Sequence, residues 1–478
     1  MLPDLLNSLF SSVWTFFFAV VLLGVSIFVH ELGHFLAARR RGVHVERFSI
    51  GFGPAIWSRR GRDGVEYRLS WIPLGGYVLL PQLADLGPIE GASEVDLEKL
   101  PPITYTSKMI VFVAGATFNV IFAFILASIL WVIGLPESNL TATTKIGYVS
   151  QTLERTNGEK VPAPAFVAGL QVGDVLRAVD GHPVKDWNDI KLSLTLGDGR
   201  SANGDRQVIL DLERDGHPMQ LALKPEITGE DKERRIGISP GYELIVLDVE
   251  PGSLADKVGF KKNDEILRLD NVAIFNEATY REYLDASIAR PVVAHIQRGG
   301  REGHELALTI PPTPGAKVGQ RLGESFHLTT GFRMVHPTPF EILSEQARVT
   351  FRSLWSFISP HSDVGLDKAS GVVGLIRVFQ SAAEAGIRAV LIITVLVNVN
   401  LAIFNLLPIP VLDGGQMMFA TIGRVRGRAL PVNLVVVAQT VCFALLVSLI
   451  LYVGFFDVRR WVRDVRIERA EATAPAKP

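Results

Sequence analysis

The chain has 478 residues, 48% of them hydrophobic, and a formal net charge of -1 at pH 7. That length exceeds one ordinary core, so several domains are expected, and so even a charge balance speaks against a nucleic-acid binder or an acidic interaction tail. The apolar residues gather in four windows separated by a long polar middle, the pattern of an integral membrane protein with a soluble insert. The lone Cys442 lies in an apolar window, which excludes an intrachain disulfide and a thiolate metal cluster. No Lys or Arg precedes the first apolar stretch, and a cleaved signal peptide is not expected.

The first span covers about Ser11 to Ala38, long enough to cross roughly 30 Å of hydrocarbon. Arg39, Arg40, Arg41, Arg47, Arg59, Arg60 and Arg62 follow it, which puts the N-terminus outside and the inner end of the span at the cytoplasmic face. At that end stands His30-Glu31-Leu32-Gly33-His34, an HExxH pattern. On a helix, positions i and i+4 share a face, so both imidazoles point at one ion. Glu31 beside them is placed to act as general base on a water activated by that ion. Five-residue patterns also arise by chance, but two histidines and a glutamate within a membrane span are expensive and are usually kept for function. The reading adopted is a catalytic zinc site.

Between the first two spans, Phe48 to Leu80 alternates apolar and polar residues over Val65 to Trp71, with a Gly61 to Gly64 turn and a Gly75-Gly76 pair. These read as β-hairpins. An open strand edge at membrane depth is tolerated where it is buried or lines a wet cavity, and it can accept an extended substrate by strand addition. Gly75 and Gly76 are therefore candidate substrate-binding positions; an ordinary cytoplasmic hairpin has the same periodicity. Pro81 to Pro102 reads as a solvated loop. The second span, about Met109 to Leu135, carries Ala114-Gly115-Ala116 and Asn119, small and amide residues suited to close helix packing.

The soluble insert, from 136 to about 330, repeats itself. Ala168-Gly169-Leu170 through Gly173-Asp174 and Val179-Asp180-Gly181 returns ninety positions later as Val258-Gly259-Phe260, Asn263-Asp264 and Leu269-Asp270-Asn271. Each copy predicts a helix ending in Gly, a turn carrying Asp, a short strand, and a second turn needing positive φ, supplied by Gly181 and by Asn271. After a Pro/Gly linker at Pro311 to Gly323, Pro339 to Phe357 reads as an amphipathic helix, lying on the membrane surface or packed on the second copy.

The third span starts near Ala389 and runs into Asn398 to Gln416, NVNLAIFNLLPIPVLDGGQ. Pro408 and Pro410 cannot continue a regular helix, and the break brings Asn400, Asn405 and Asp413 to one neighbourhood, with Asn400 a further candidate substrate-binding position. An intramembrane Asp without a basic partner suits a third zinc ligand, since a catalytic site takes three protein ligands and leaves a fourth position open. The alternative is a loop Asp capping the next helix. The fourth span is about Pro431 to Phe456; the arginines that follow it, Arg459 to Arg469, sit awkwardly with an outside tail, but the first helix often sets orientation.

HExxH, FSIGFGP, PLGGYV, the two copies and N-x-x-P-x-P-x-LDGG occur in an order that resembles the site-2 protease family of intramembrane zinc metalloproteases, of the regulator of sigma-E protease type. Each copy in turn resembles a PDZ domain. The resemblance implies one catalytic Zn2+ held by His30, His34 and Asp413, with Glu31 as the catalytic glutamate and Asn405 stabilising substrate or oxyanion. It implies a multi-pass protein of the bacterial inner membrane, its active site towards the cytoplasm and its PDZ-like pair in the periplasm, screening substrates by size or meeting peptides. Implied substrates are membrane-bound anti-sigma factors and remnant signal peptides. The chain departs from the family at Ala116 in the second span, at Gln416 after LDGG and at Val372 after Ser370-Gly371, which bears on substrate preference and helix geometry.

The expected architecture is thus a polytopic α-helical membrane protein of about four spans, with membrane-associated β-hairpins and an insert of two tandem PDZ-like α/β domains. Its divisions are 1–135, 136–230, 231–312, 313–388 and 389–478. The expected activity is peptide-bond hydrolysis within the bilayer. A non-catalytic PDZ adaptor with a vestigial metal site is the alternative, separated from it by chelator-sensitive proteolysis.

Overall fold

The computed structural model describes residues 2–83, 100–228, 233–287, 290–309, 327–329 and 331–473. Most of the loop expected over 81–102, and the linker expected over 311–323, lie outside the described residues. The chain forms two compact units: one of residues 1–135, 336–351 and 366–468, the other of 136–335, 352–365 and 469–478.

Among the described residues, four helices in the first unit are long and apolar enough to cross a membrane, over Val21–Arg40, Tyr105–Ile133, Ile387–Asn405 and Val432–Arg463. The second begins at Thr104, whose side chain caps Ser107 N, and stops at Gly134 with φ 72°, where the chain turns away. Small residues set how closely the first two helices approach. A Cβ on Gly33 would lie 2.5 Å from the Ala114 carbonyl oxygen, so the backbones touch there. Val436, Leu445, Leu449 and Phe455 of the last helix are exposed, as suits a surface facing lipid rather than water.

Arg47–Arg60 and Glu66–Leu79 form the expected β-structure, but each strand folds back on itself. Arg47–Ile50 pairs on one side with Gly76–Leu79 and on the other with Glu66–Leu69, and Glu66–Leu69 also pairs with Trp57–Arg60. Phe48, Val65 and Val78 pack with Phe35 and Ala38 of the first helix and Val111 of the second, which fixes the sheet to the HExxH helix.

Helix Pro339–Ile358 settles on the spans: Ile342 is buried with Ala123, Leu126, Val395 and Val399, and Thr350 Oγ1 donates to Asn400 Oδ1. A further helix, Val372–Ala385, lies where only linker was expected. Its Phe379 packs on Val397, Leu22 and Leu23. Its N-terminus is capped from the last helix, where buried Asp457 accepts from Gly371 N and Gly374 N at 2.9 Å.

The second unit holds two modules of one fold. Strands His217–Leu223, Val208–Arg214 and Val175–Val179 lie side by side in the first, as Arg301–Thr309, Pro291–Arg298 and Glu265–Leu269 do in the second. The repeat extends to hydrogen bonds. Arg214 clamps Asp174 and the Gly169 carbonyl, and Arg298 clamps Asp264 and the Gly259 carbonyl. Asp186 and Asn276 cap the helices Trp187–Thr195 and Glu277–Ala286. The second turn corrects the sequence reading: positive φ falls on Asp180 and Gly181 in the first copy, and on Asp270 rather than Asn271 in the second. Aspartate tolerates this conformation because its carboxylate bonds the neighbouring strand, at Ile209 N and Val293 N respectively. Gly147 abuts Gly241, and Thr279 Oγ1 donates to the Gly147 carbonyl, so the two modules are joined backbone to helix.

Candidate metal centre

His30 and His34 lie one turn apart on the first helix and face the second span. His34 Nδ1 is 2.8 Å from the Val111 carbonyl oxygen, which can only accept, so this nitrogen carries the proton and Nε2 presents a lone pair. Asn119 plays the matching part for His30. Its Nδ2 is 3.3 Å from His30 Nδ1 while its buried Oδ1 has no partner, and turning the amide over lets Nδ1–H donate to Oδ1. Both rings then offer Nε2 to a common point.

Asp413 reaches that point from the other side. The third span ends at Asn405, and a new helix, Asp413–Arg426, starts on the aspartate after the Pro408 and Pro410 break. Gly414 and Gly415 are required by this turn, since a Cβ on either would collide with the carbonyls of Leu406, Leu407 or Ile409.

His30 Nε2 and His34 Nε2 are 3.1 Å apart, and Asp413 Oδ2 stands 3.2 Å from the first and 3.4 Å from the second. Three atoms bearing lone pairs would repel one another so arranged, and Asp413 Oδ2 is buried without a hydrogen bond. The spacing matches the edges of a tetrahedron around an ion with ligand bonds of about 2.0–2.1 Å, the length zinc makes to imidazole and carboxylate. The donor set and the orphaned oxygen therefore fit zinc, with one tetrahedral corner left for a reactant.

The other candidates fall at different distances. Asn405 Nδ2 is 3.3 Å from His30 Nε2, at the edge of the ligand set. A Cβ on Gly76 would meet Glu31 Cγ at 3.3 Å, so the Gly76–Leu79 strand passes the glutamate; Gly75 next to it holds φ 144°. Asn400 instead ties the third span to helix Pro339–Ile358 through Thr350. Sequence reasoning gave Gly115 and Asn119 to packing and passed over Val111. All three sit on one stripe of the second span at intervals of four, and that spacing was the available signal.

The family model described as peptidase family M50 matches residues 18–449, which include the histidine pair and Asp413. The chain is 30% identical over 442 residues to the regulator of sigma-E protease RseP of Salmonella typhimurium, covering 87% of this chain and 92% of the relative. It is also 30% identical over 447 residues to the protein of that name in Escherichia coli, and over 446 residues to protease RseP of Yersinia pestis, with the same coverage. Proteases of this kind are zinc-dependent and intramembrane, and the adaptor reading is not favoured. The chain belongs to peptidase family M50.

Proposed function

We propose that this protease cuts transmembrane segments of membrane-bound anti-sigma factors and of remnant signal peptides in a bacterial inner membrane, with His30, His34 and Asp413 holding its zinc. The observation that carries the proposal is the convergence of two imidazole nitrogens and the orphaned Asp413 oxygen within 3.4 Å. Held by these three side chains, zinc would supply Lewis acidity for peptide hydrolysis. Glu31 takes the proton of the attacking water and passes it to the leaving amine. The Asn405 amide, beside His30, donates to the oxygen on which negative charge develops. The Gly76–Leu79 strand, running past Glu31, holds the substrate extended by adding it as a further strand. The two modules of the insert, read as PDZ-like and periplasmic, screen substrates by the bulk of their outer domains.

The test is a reporter membrane segment offered to Glu31→Gln in liposomes, with zinc measured in the same preparation. Cleavage should fall by about 10²–10⁴-fold with zinc retained. Cleavage at the wild-type rate would remove Glu31 from the chemistry.

A further inference from the structure

The first module differs from the second in one loop. Asp174 and Asp264 lie ninety positions apart, yet their partners Arg214 and Arg298 lie eighty-four apart, so the first copy carries six extra residues. They fall between helix Trp187–Thr195 and strand Val208–Arg214. In that loop Arg200 and Arg206 face each other as a β-bridge, closed by Ser201 N on the Asp205 carbonyl and by Gly204 at φ 81°. The bridge sets both guanidiniums beside Arg234, whose side chain is 1% exposed.

All three arginines meet one carboxylate, that of Asp363. Its Oδ2 accepts from Arg234 Nε at 2.7 Å and Arg206 Nε at 2.9 Å, and its Oδ1 from Arg200 Nη2 at 3.2 Å. Asp363 belongs to the segment Arg352–Gly365, which begins with the last turns of helix Pro339–Ile358 and clusters with the modules. Two more side chains tie the segment down: Arg352 Nη2 donates to Ser193 Oγ, and Ser359 Oγ donates to Asp198. Residues 359–365 form no helix or strand, so these side chains rather than a backbone ladder hold them. Besides Asp363, Asp180 faces Arg234, and Asp198 lies beside Asp180. Burial pushes the Asp363 carboxyl up, and the Arg234 and Arg200 bonds more than offset it, so it stays below its ordinary value. Arg234 Nη1 and Nη2 and Arg200 Nη1 are buried without hydrogen bonds, so losing Asp363 would strip the buried Arg234 of its ion-paired partner and leave only the more distant charge of Asp180.

We propose that Arg200, Arg206 and Arg234 form a carboxylate-binding site whose occupant is the chain's own Asp363, a releasable clasp that fastens residues 352–365 to the first module. The segment continues a helix whose earlier residues, 339–351, belong to the membrane unit and are anchored there by Ile342 and Thr350. The clasp therefore sets how stiff that covalent connection is at its C-terminal end. Through it, the clasp governs admission of substrates with large outer domains. This last role rests on the proteolytic function proposed above; the clasp itself does not.

Hydrogen exchange on the full chain in detergent tests the clasp, with Asp363→Asn, Arg206→Gln and the double variant. Asp363→Asn should raise amide exchange over 359–366 about tenfold, while strand Val208–Arg214 stays protected as a control on folding. The double variant should exchange no faster than Asp363→Asn alone, because the two residues act through one contact. Unchanged exchange in Asp363→Asn, or effects that add in full, overturns the clasp. The regulatory role is read from reporters with long and short outer domains: Asp363→Asn should raise the long-to-short cleavage ratio and cut the short one as wild type does. A released segment with an unchanged ratio overturns that role and leaves the protease reading intact. Failure of the wild type to cut either reporter is failure of the protease reading instead.

Discussion

Gly115 of the second span lies against the His34 imidazole of the first, on the side that carries Nε2. A Cβ there would stand 2.6 Å from His30 Cε1 and 2.7 Å from His30 Nε2, and closer still to His34 Nε2, so the position excludes every side chain. One face of the second span thus shapes the candidate metal centre at three levels, with Val111 and Asn119 orienting the rings and Gly115 making room for them.

Gly115→Ala should accordingly damage the metal centre more than the fold. Overpacking costs about 1–3 kcal/mol, which four packed spans absorb, whereas the rings must turn away from their shared point. The expected result is a protein that inserts and resists protease like wild type but loses most of its zinc and its cleavage of a reporter segment. Full zinc occupancy with wild-type cleavage would show that the rings do not need this gap.

Removing the metal should act in the same direction and be reversible. Side chains that only hydrogen-bond a metal's ligands are worth about 10–100-fold in affinity, so loss of a direct ligand in Asp413→Ala should cost at least about 100-fold. Chelator-treated wild type should regain cleavage on titration with zinc, and Asp413→Ala should not regain it at the same zinc concentration. Recovery of the variant along the wild-type curve would take Asp413 out of the coordination sphere.

The membrane helices, the HExxH face and the broken third span were legible in the sequence because each rests on a local signal: apolar length, i to i+4 spacing, and proline. The helix Val372–Ala385 was not, because Gly371, Gly374 and Asp457 make its N-cap only when residues more than eighty positions apart meet. Nearness in sequence to Asn405 makes Asn400 a candidate for binding substrate. It lies instead on the side of the third span that faces Thr350, about 1.4 turns away from Asn405 along the helix. In the repeat, the positive-φ turn was assigned to Asn271 on its residue type, whereas the carboxylate of Asp270 decides the matter by bonding a strand not yet placed.

The twin clamps of the modules predict matched losses of stability. Asp174 and Asp264 are 1% and 0% exposed, each bound twice by one arginine. Taking away the aspartate costs its charged hydrogen bonds, about 1.5–3 kcal/mol, since each arginine is 23% or 28% exposed and can turn to water. Asp264→Ala should therefore lower the unfolding transition of the second module, and Asp174→Ala that of the first, by similar amounts. A change below about 0.5 kcal/mol in both would mean that the arginines find other partners or water.

The sheet beside the HExxH helix carries its own pH dependence. Burial pushes the Glu66 carboxyl up, but hydrogen bonds from Ser58, Arg47 and Arg68 outweigh it and hold the group down at about 2. A carboxylate whose folded value lies below its unfolded one contributes stability that is fully present above the unfolded value, ordinarily 4.5, and fades as pH falls towards 2. Protection of the Arg47–Arg60 and Glu66–Leu79 amides should thus be flat above pH 5 and decline between about 4.5 and 2. Glu66→Gln, which cannot titrate, should flatten that limb and lower protection at neutral pH, where the ion pairs with Arg47 and Arg68 are lost. An unaltered acid limb in Glu66→Gln would assign the dependence to another acid of the sheet, with Asp63, bonded to Tyr67 and paired with Arg39, the first to replace.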